Sequence, residues 1–384
     1  MSRSTRIATL AVLMGTGWGT TLSAQARVTD LVFTGGTHVE RYGGGIPSVT
    51  LAVVDSVDRA WATSAELGVR AVLSSNANGF DGLTVTVDGG VRQFDAYGFK
   101  LRDYAPRVSS GVLDAVFRTT TNRGVLQFSG RAGGRDVADR TPTPLFLEPG
   151  YTNYEGSALF QTREIGGTYW DVSVEGGRAD YNAQEIVPQL DLLDRNKIGF
   201  ELGAAQARMW NAARMTMRFY GSFTEFRYPK QGTRYEPDPF RRDQAYQLGA
   251  VWQYDGIESS DGFDSPGVTA EVGIQGTINR SNASRTEYNA VSVNTEVTIP
   301  MPADMRFYFT AVLTAKDYLT ETEFIRLIPG EEADNASRVY VGVGRELTDA
   351  VDGRFRIGWT RAETEIGDAY FERYSGSLFF SYRP

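Results

Sequence analysis

The chain has 384 residues, no cysteine, and 39 basic against 47 acidic side chains. The acidic balance excludes a nucleic-acid binder, which needs a basic face. The lack of cysteine excludes a disulfide framework and a thiolate metal site. After residue 26 no segment approaches the 18 consecutive apolar residues of a transmembrane helix, which leaves membrane crossing by strands open.

The first 26 residues, MSRSTRIATLAVLMGTGWGTTLSAQA, combine a basic start (Arg3, Arg6), a short apolar centre (Ile7 to Met14) and a small-residue end at Ala24-Gln25-Ala26. That layout predicts a secretory signal peptide cut after Ala26. The remaining 358 residues keep 37 basic and 47 acidic side chains, a net charge of −10. The next piece, RVTDLVFTGGTHVERYGG (27–44), is expected to be an N-terminal periplasmic extension or partial plug over 27–45, ahead of a folded unit at 46–384. It holds the only histidine, His38.

From there the chain alternates. AELGVRAVL (65–73) and LTVTVDGGVR (83–92) place apolar and polar residues on opposite faces, as a β-strand does. YWDVSVEGG (169–177), KIGFELGAA (197–205) and MTMRFYGSFTEF (215–226) continue the pattern. In QAYQLGAVWQY (244–254), Tyr246, Leu248, Ala250, Trp252 and Tyr254 oppose Gln247, Gly249 and Gln253. In GVTAEVGIQGTIN (267–279), Val268, Ala270, Val272, Ile274 and Ile278 oppose Thr269, Glu271, Gln275, Thr277 and Asn279. MRFYFTAVLTAK (305–316), GRFRIGWTR (353–361) and the terminal RYSGSLFFSYRP (373–384) behave alike. No stretch carries a convincing 3.6-residue period.

Alternating segments of about ten residues between turns are the signature of a transmembrane β-barrel. Charged residues such as Asp171, Glu175, Glu201, Arg218 and Glu271 sit mid-strand opposite apolar neighbours. In a soluble sandwich they would face bulk water; in a barrel they face the lumen. Connections alternate between long (near 182–194, 228–243 and 319–337) and short (near 165–168, 210–213, 300–304 and 348–353), as outer loops and periplasmic turns do. The acidic stretch 255–267 is long where a short turn is due. Trp170, Trp210, Trp252, Tyr254, Phe307, Phe380 and Tyr382 fall near periplasmic ends, where an interfacial aromatic girdle is expected. Counting from Ile46 predicts an all-β, transmembrane, antiparallel up-and-down β-barrel of about 16 strands.

This pattern resembles Gram-negative outer-membrane β-barrel proteins, porins among them. The resemblance implies an outer-membrane location, contact with lipid and lipopolysaccharide, and recognition of the aromatic-rich last strand by the barrel-assembly machinery. Phe380 and Tyr382 fit that strand, while Arg383 and Pro384 extend past the aromatic that ends it in the family. The pattern fits a homotrimer or a monomer alike.

Three functional readings follow. The first is a passive diffusion channel for small solutes or ions, since 16–18 strands leave an aqueous lumen. Its expected lining comprises Asp114, Arg118, Arg131, Arg135, Glu155, Asp171, Glu175, Glu201, Arg218, Glu271, Glu296, Arg306, Arg338, Arg354 and Arg356, with Asp88 and Arg92 beside them. Rings of charge set ion selectivity, and the acidic balance leans toward cations. With 35 Arg against 4 Lys, planar Arg–carboxylate pairs that tie the wall together are the competing role.

The second reading is a non-conducting barrel for anchoring, surface-lipoprotein or polysaccharide export, or adhesion. RRDQAYQLGAVWQY (241–254) resembles strands of accessory export barrels, which usually follow a helical-repeat domain that this chain lacks. VTDLVFTGG (28–36) is similar to the energy-coupling box of large transporters, whose plug and barrel exceed this length. The third is an enzyme. No GxSxG, HExxH or P-loop is present, a His-based site has only His38 to use, and no cofactor is expected.

The third outer connection, VADRTPTPLFLEPG (137–150), carries three prolines and the apolar run Leu145-Phe146-Leu147. Porins fold this loop into the lumen, so the resemblance places Arg140 and Glu148 at a constriction. Packing on the rim or a partner is the alternative. Deleting Thr141 to Leu147 is expected to raise single-channel conductance; unchanged conductance would remove the constriction role.

Overall fold

A computed structural model describes residues 27–44, 60–75, 81–97, 107–138, 150–182, 188–210, 213–233, 239–260, 263–283, 286–319, 337–363 and 370–384. Residues 1–26 and most of the loop at 137–150, including Arg140 and Glu148, lie outside the described residues. The described chain forms sixteen strands. The first eight are β1 (Arg27–Gly44), β2 (Ala60–Ser74), β3 (Gly82–Tyr97), β4 (Arg107–Thr120), β5 (Gly124–Ala138), β6 (Tyr151–Thr162), β7 (Thr168–Tyr181) and β8 (Arg195–Trp210). The second eight are β9 (Ala213–Gly232), β10 (Phe240–Ser260), β11 (Phe263–Ser281), β12 (Tyr288–Met301), β13 (Met305–Tyr318), β14 (Ser337–Thr348), β15 (Val351–Glu363) and β16 (Tyr370–Tyr382). A short 3-10 helix at Pro188–Leu193 precedes β8.

Each strand pairs antiparallel with its sequence neighbours, and β1 pairs with β16 to close the barrel. The closing register runs from Phe33↔Tyr382 to Gly44↔Phe371. Closure satisfies every ladder group without an edge, which is what a sheet needs in lipid.

Residues 27–44 are therefore a wall strand, a correction to the expected extension or plug. Their outward residues Leu31, Phe33, Thr37 and Val39 meet the outward residues of β2 and β16. Gly35 and Gly36 dilute the alternation at the centre of the segment, so it reads weakly as a strand. Fifteen of the sixteen described strands follow residue 46, one fewer than the sequence count, and β1 supplies the sixteenth; residues 45–59, where that count began, lie outside the described residues.

Two connections also differ from the reading by length. The acidic stretch 255–267 is mostly strand: β10 and β11 continue paired to Ser260↔Phe263, with a bulge at Asp255/Ile257. The loop expected at 228–243 shrinks to 233–239, because β9 runs to Gly232 past an irregular register between Phe240 and Arg241. The short connections share one end of the barrel. At one of them, Ile165 and Thr168 exchange both backbone bonds (2.9 and 3.1 Å) around Gly166 and Gly167. Both glycines have positive φ, 60° and 82°, the geometry that a two-residue hairpin turn demands.

The outer surface is apolar. Leu67 is 72% exposed, Leu248 75% and Ile198 62%, values that suit hydrocarbon and not water. Phe33, Trp170, Trp210, Trp252, Tyr254, Phe380 and Tyr382 lie on this face near the short-turn end and are exposed or half-exposed. Phe33 stacks on Tyr382 at 6.5 Å, and Trp252 on Tyr254 at 6.2 Å. Toward the loop end, Phe223 meets Tyr246 at 5.2 Å, while Trp359 and Tyr374 each donate to Glu372 at 2.8 Å. Tyr246 and Tyr254 are eight residues apart, roughly 27 Å along the strand at about 3.4 Å per residue. Tilted, that distance fits an apolar band of about 25 Å.

Substituting Arg for Leu248 or Val272 is expected to impair membrane insertion by about 2–4 kcal/mol, while Arg at Gln247 or Thr269 is tolerated. Heat-modifiable gel mobility of the folded barrel measures both. Equal losses on the two faces would refute this assignment.

Candidate functional site: the inner wall

Opposite the apolar residues on every strand lies a face of charge and hydrogen bonds. Side chains on strands two apart meet only on the concave side of a curved sheet. They do so where Arg92 of β3 reaches Glu40 of β1 at 3.0 Å and where Lys197 of β8 reaches Glu155 of β6 at 3.3 Å. The cross-strand registers place Asp114, Arg118, Arg131, Arg135, Glu155, Asp171, Glu175, Glu201, Arg218, Glu271, Glu296, Arg306, Arg338, Arg354 and Arg356 on this same face. The structure sorts them into groups with different surroundings.

On β6–β9 two cations are each held between two carboxylates. Lys197 lies 3.3 Å from both Glu155 and Glu175. Arg218 donates through Nε to Asp171 at 3.1 Å and through Nη2 to Glu201. Its guanidinium also lies 5.1 Å from the Tyr220 ring, and Tyr220 donates to Gln275 of β11 at 2.7 Å. This sector fits the structural role that planar Arg pairs offer. Arg131 and Asp114 make a looser pair, at 3.6 Å with both side chains well exposed.

At the seam, β1 supplies His38 and Glu40, 6% and 3% exposed. His38 Nε2 lies 3.1 Å from Glu66 of β2, and its ring meets Phe379 of β16 edge-on at 4.8 Å. Arg92 donates to Ser64 at 2.8 Å and to Glu40, and Arg373 of β16 lies 3.8 Å from Glu40. Taking residues 27–44 for an extension hides this network from the sequence. The alternation of Val32, Thr34, His38 and Glu40 against Leu31, Phe33 and Val39 is the signal that would have found it.

Glu271 and Glu296 face one another directly across β11 and β12. Glu271 accepts from Gln253 at 2.8 Å and from Asn294 at 3.5 Å. Among the described residues no cation lies within ion-pair distance of either carboxylate. Like charges opposite one another across a sheet repel.

β13–β16 carry the reverse sign. Arg306 pairs with Glu346 at 3.4 Å near the short-turn end. Above it, Arg354 stacks on Tyr308 at 4.5 Å and Arg356 on Tyr340 at 4.7 Å. Lys316 sits over Tyr288 and Tyr318. The rings lie flat because a glycine on the next strand makes room. A Cβ on Gly344 would come within 3.1 Å of Tyr308, and one on Gly358 within 2.4 Å of Tyr340. The same arrangement recurs with Phe379 over Gly36 and Tyr220 over Gly249. Sequence reading assigns aromatics to girdles and misses this inward set, although each falls on the polar parity of its strand.

The loop end is tied together. Arg241 donates to Asp243 and to Gln231 (3.0 Å) and stacks on Tyr228 at 4.2 Å. Gln231 in turn donates to the Leu192 carbonyl of the 3-10 helix at 2.8 Å. Lys230 lies 2.8 Å from Asp194 and 3.2 Å from Asp191. Hydrogen bonding to Asp194, then to Asp191, holds the Lys230 ammonium above its usual pKa. The connection between β7 and β8 is thereby fastened to β9.

No family model matches the chain, and no curated protein matches it in sequence. Among solved structures the chain is similar to the outer membrane channel DcaP of Acinetobacter baumannii, with 10% identity over 95% of this chain and 99% of that one and a TM-score of 0.44. It is similar to OmpF of Salmonella typhi in complex with daunomycin, with 10% identity over 92% and 97% and a TM-score of 0.39. A bacterial polysaccharide outer membrane secretin also matches, with 10% identity over 93% and 100% and a TM-score of 0.39. The sixteen-stranded closed wall, apolar outside and charged inside, is that of a transmembrane antiparallel β-barrel.

Proposed function

We propose that this chain is a passive diffusion channel for small hydrophilic solutes or ions. The observation that supports it most is the inner face, charged from the seam around to β15, inside a closed wall of sixteen strands. Eight strands leave room only for wall side chains, whereas 16–18 leave an aqueous path. Charge on such a wall filters by sign while water fills the middle. Transport needs no catalytic group on this reading, and His38 serves the wall through Glu66 and Phe379. Lipid and lipopolysaccharide surround the apolar band, and the barrel-assembly machinery inserts the chain through its last strand.

Detergent-extracted protein in a planar bilayer is expected to give stable, repeated current steps. Protein that inserts but carries no current would overturn the channel.

A further inference from the structure

The inner wall is not uniform in sign, and its basic side has the form of a binding surface. On β6–β9 the arginine and lysine are matched to carboxylates, and at the seam Arg92 is matched to Glu40. On β14 and β15, Arg338, Arg354 and Arg356 face inward with no carboxylate within ion-pair distance among the described residues. The acids that share this part of the wall are occupied at the short-turn end: Glu346 by Arg306, and Asp352 by Arg383. Glu66, on β2 beyond the seam, is hydrogen-bonded to His38.

The stacking on Tyr308 and Tyr340 has a chemical consequence. A ring covers one face of a guanidinium and leaves the N–H edge uncovered. That edge is the fork which binds a carboxylate through two parallel hydrogen bonds. Because the rings are seated over Gly344 and Gly358, the guanidiniums are positioned before any solute arrives. The spacing also matters. Arg354 and Arg356 are two residues apart on one strand, about 7 Å. Arg338 is opposite Thr360, while Arg356 is opposite Gly342, so Arg338 stands four residues nearer the loop end, about 13 Å at the same rise. The three form a file along the barrel axis. Such a file engages several carboxylates of one solute, or passes one carboxylate from fork to fork.

We propose that the β13–β15 wall is a binding track for organic polyanions that carry two or more carboxylates. The inference rests on the channel reading for its transport role and names the solute class of that channel. It reverses the cation preference that net charge alone suggests, because the lumen is governed by where the charges lie.

Citrate is the probe. In planar bilayers it is expected to interrupt chloride current through the wild-type barrel. The double variant R354Q/R356Q is expected to weaken that block about tenfold or more, the cost of losing charge-assisted hydrogen bonds. The control is R70Q, which removes one positive charge from the inner face of β2 beside Asp88 and is expected to leave the block within about twofold; R354Q and R356Q singly match it in charge and are each expected to weaken the block more. An unchanged block in the double variant, or an equal loss in R70Q, would overturn the track. Calorimetric titration of citrate into the folded barrel in detergent separates the two readings. Citrate binding by a silent barrel would overturn the channel and keep the track. Steady current with no citrate binding would overturn the track and keep the channel. Heat-modifiable mobility confirms that each variant is folded.

Discussion

A backbone amide in hydrocarbon has no water to bond, so every N–H and C=O must find a partner in the sheet. The β1–β16 pairing is where this molecule meets that demand. Without it, two strands of more than a dozen residues would present unpaired edges to lipid. With it, the ladder is continuous, and the pleat then dictates the rest: each strand has one face toward lipid and one toward the lumen. The apolar belt and the charged wall are two results of one closure.

The inner wall shows how a barrel of this width keeps its charges in order. Between β6 and β9 the solution is pairing, with Lys197 and Arg218 each shared by two carboxylates. Between β13 and β16 it is stacking, with rings laid over glycines and guanidiniums laid over rings. The first device consumes the donors of its cations. The second leaves them directed along the wall. Two sectors of one wall thus present different chemistry to a passing solute.

The fold was legible because lipid makes the period-2 pattern unusually clean: Leu248, Val272 and Ile274 must be apolar, and Gln247, Glu271 and Gln275 may be polar. The facing of the wall charges followed from that parity. Their grouping did not, because it depends on which strands stand two apart around the circle and on side-chain reach. Segment 27–44 was misread for a local reason. Its central glycines lack the side chains by which alternation is recognised, yet Gly36 is required there so that the Phe379 ring can lie down. Length misled at 255–267 in the same way, since paired strands that run beyond the membrane carry no apolar face to mark them.

The seam also separates near from distant contacts. Fifteen of the sixteen pairings join strands adjacent in sequence, so each is local, the longest connection being the 18 residues between β13 and β14. The β1–β16 pairing joins residues almost a whole chain apart, and closing so long a loop carries the largest entropic cost of any contact here. The side chains that span it are correspondingly numerous. Phe33 meets Tyr382 on the lipid side, and His38 meets Phe379 and Glu40 meets Arg373 within the lumen. Arg383 approaches Asp30 at the rim. The junction that closes the longest loop is thus fitted with a latch on both surfaces, one toward lipid and one toward the lumen.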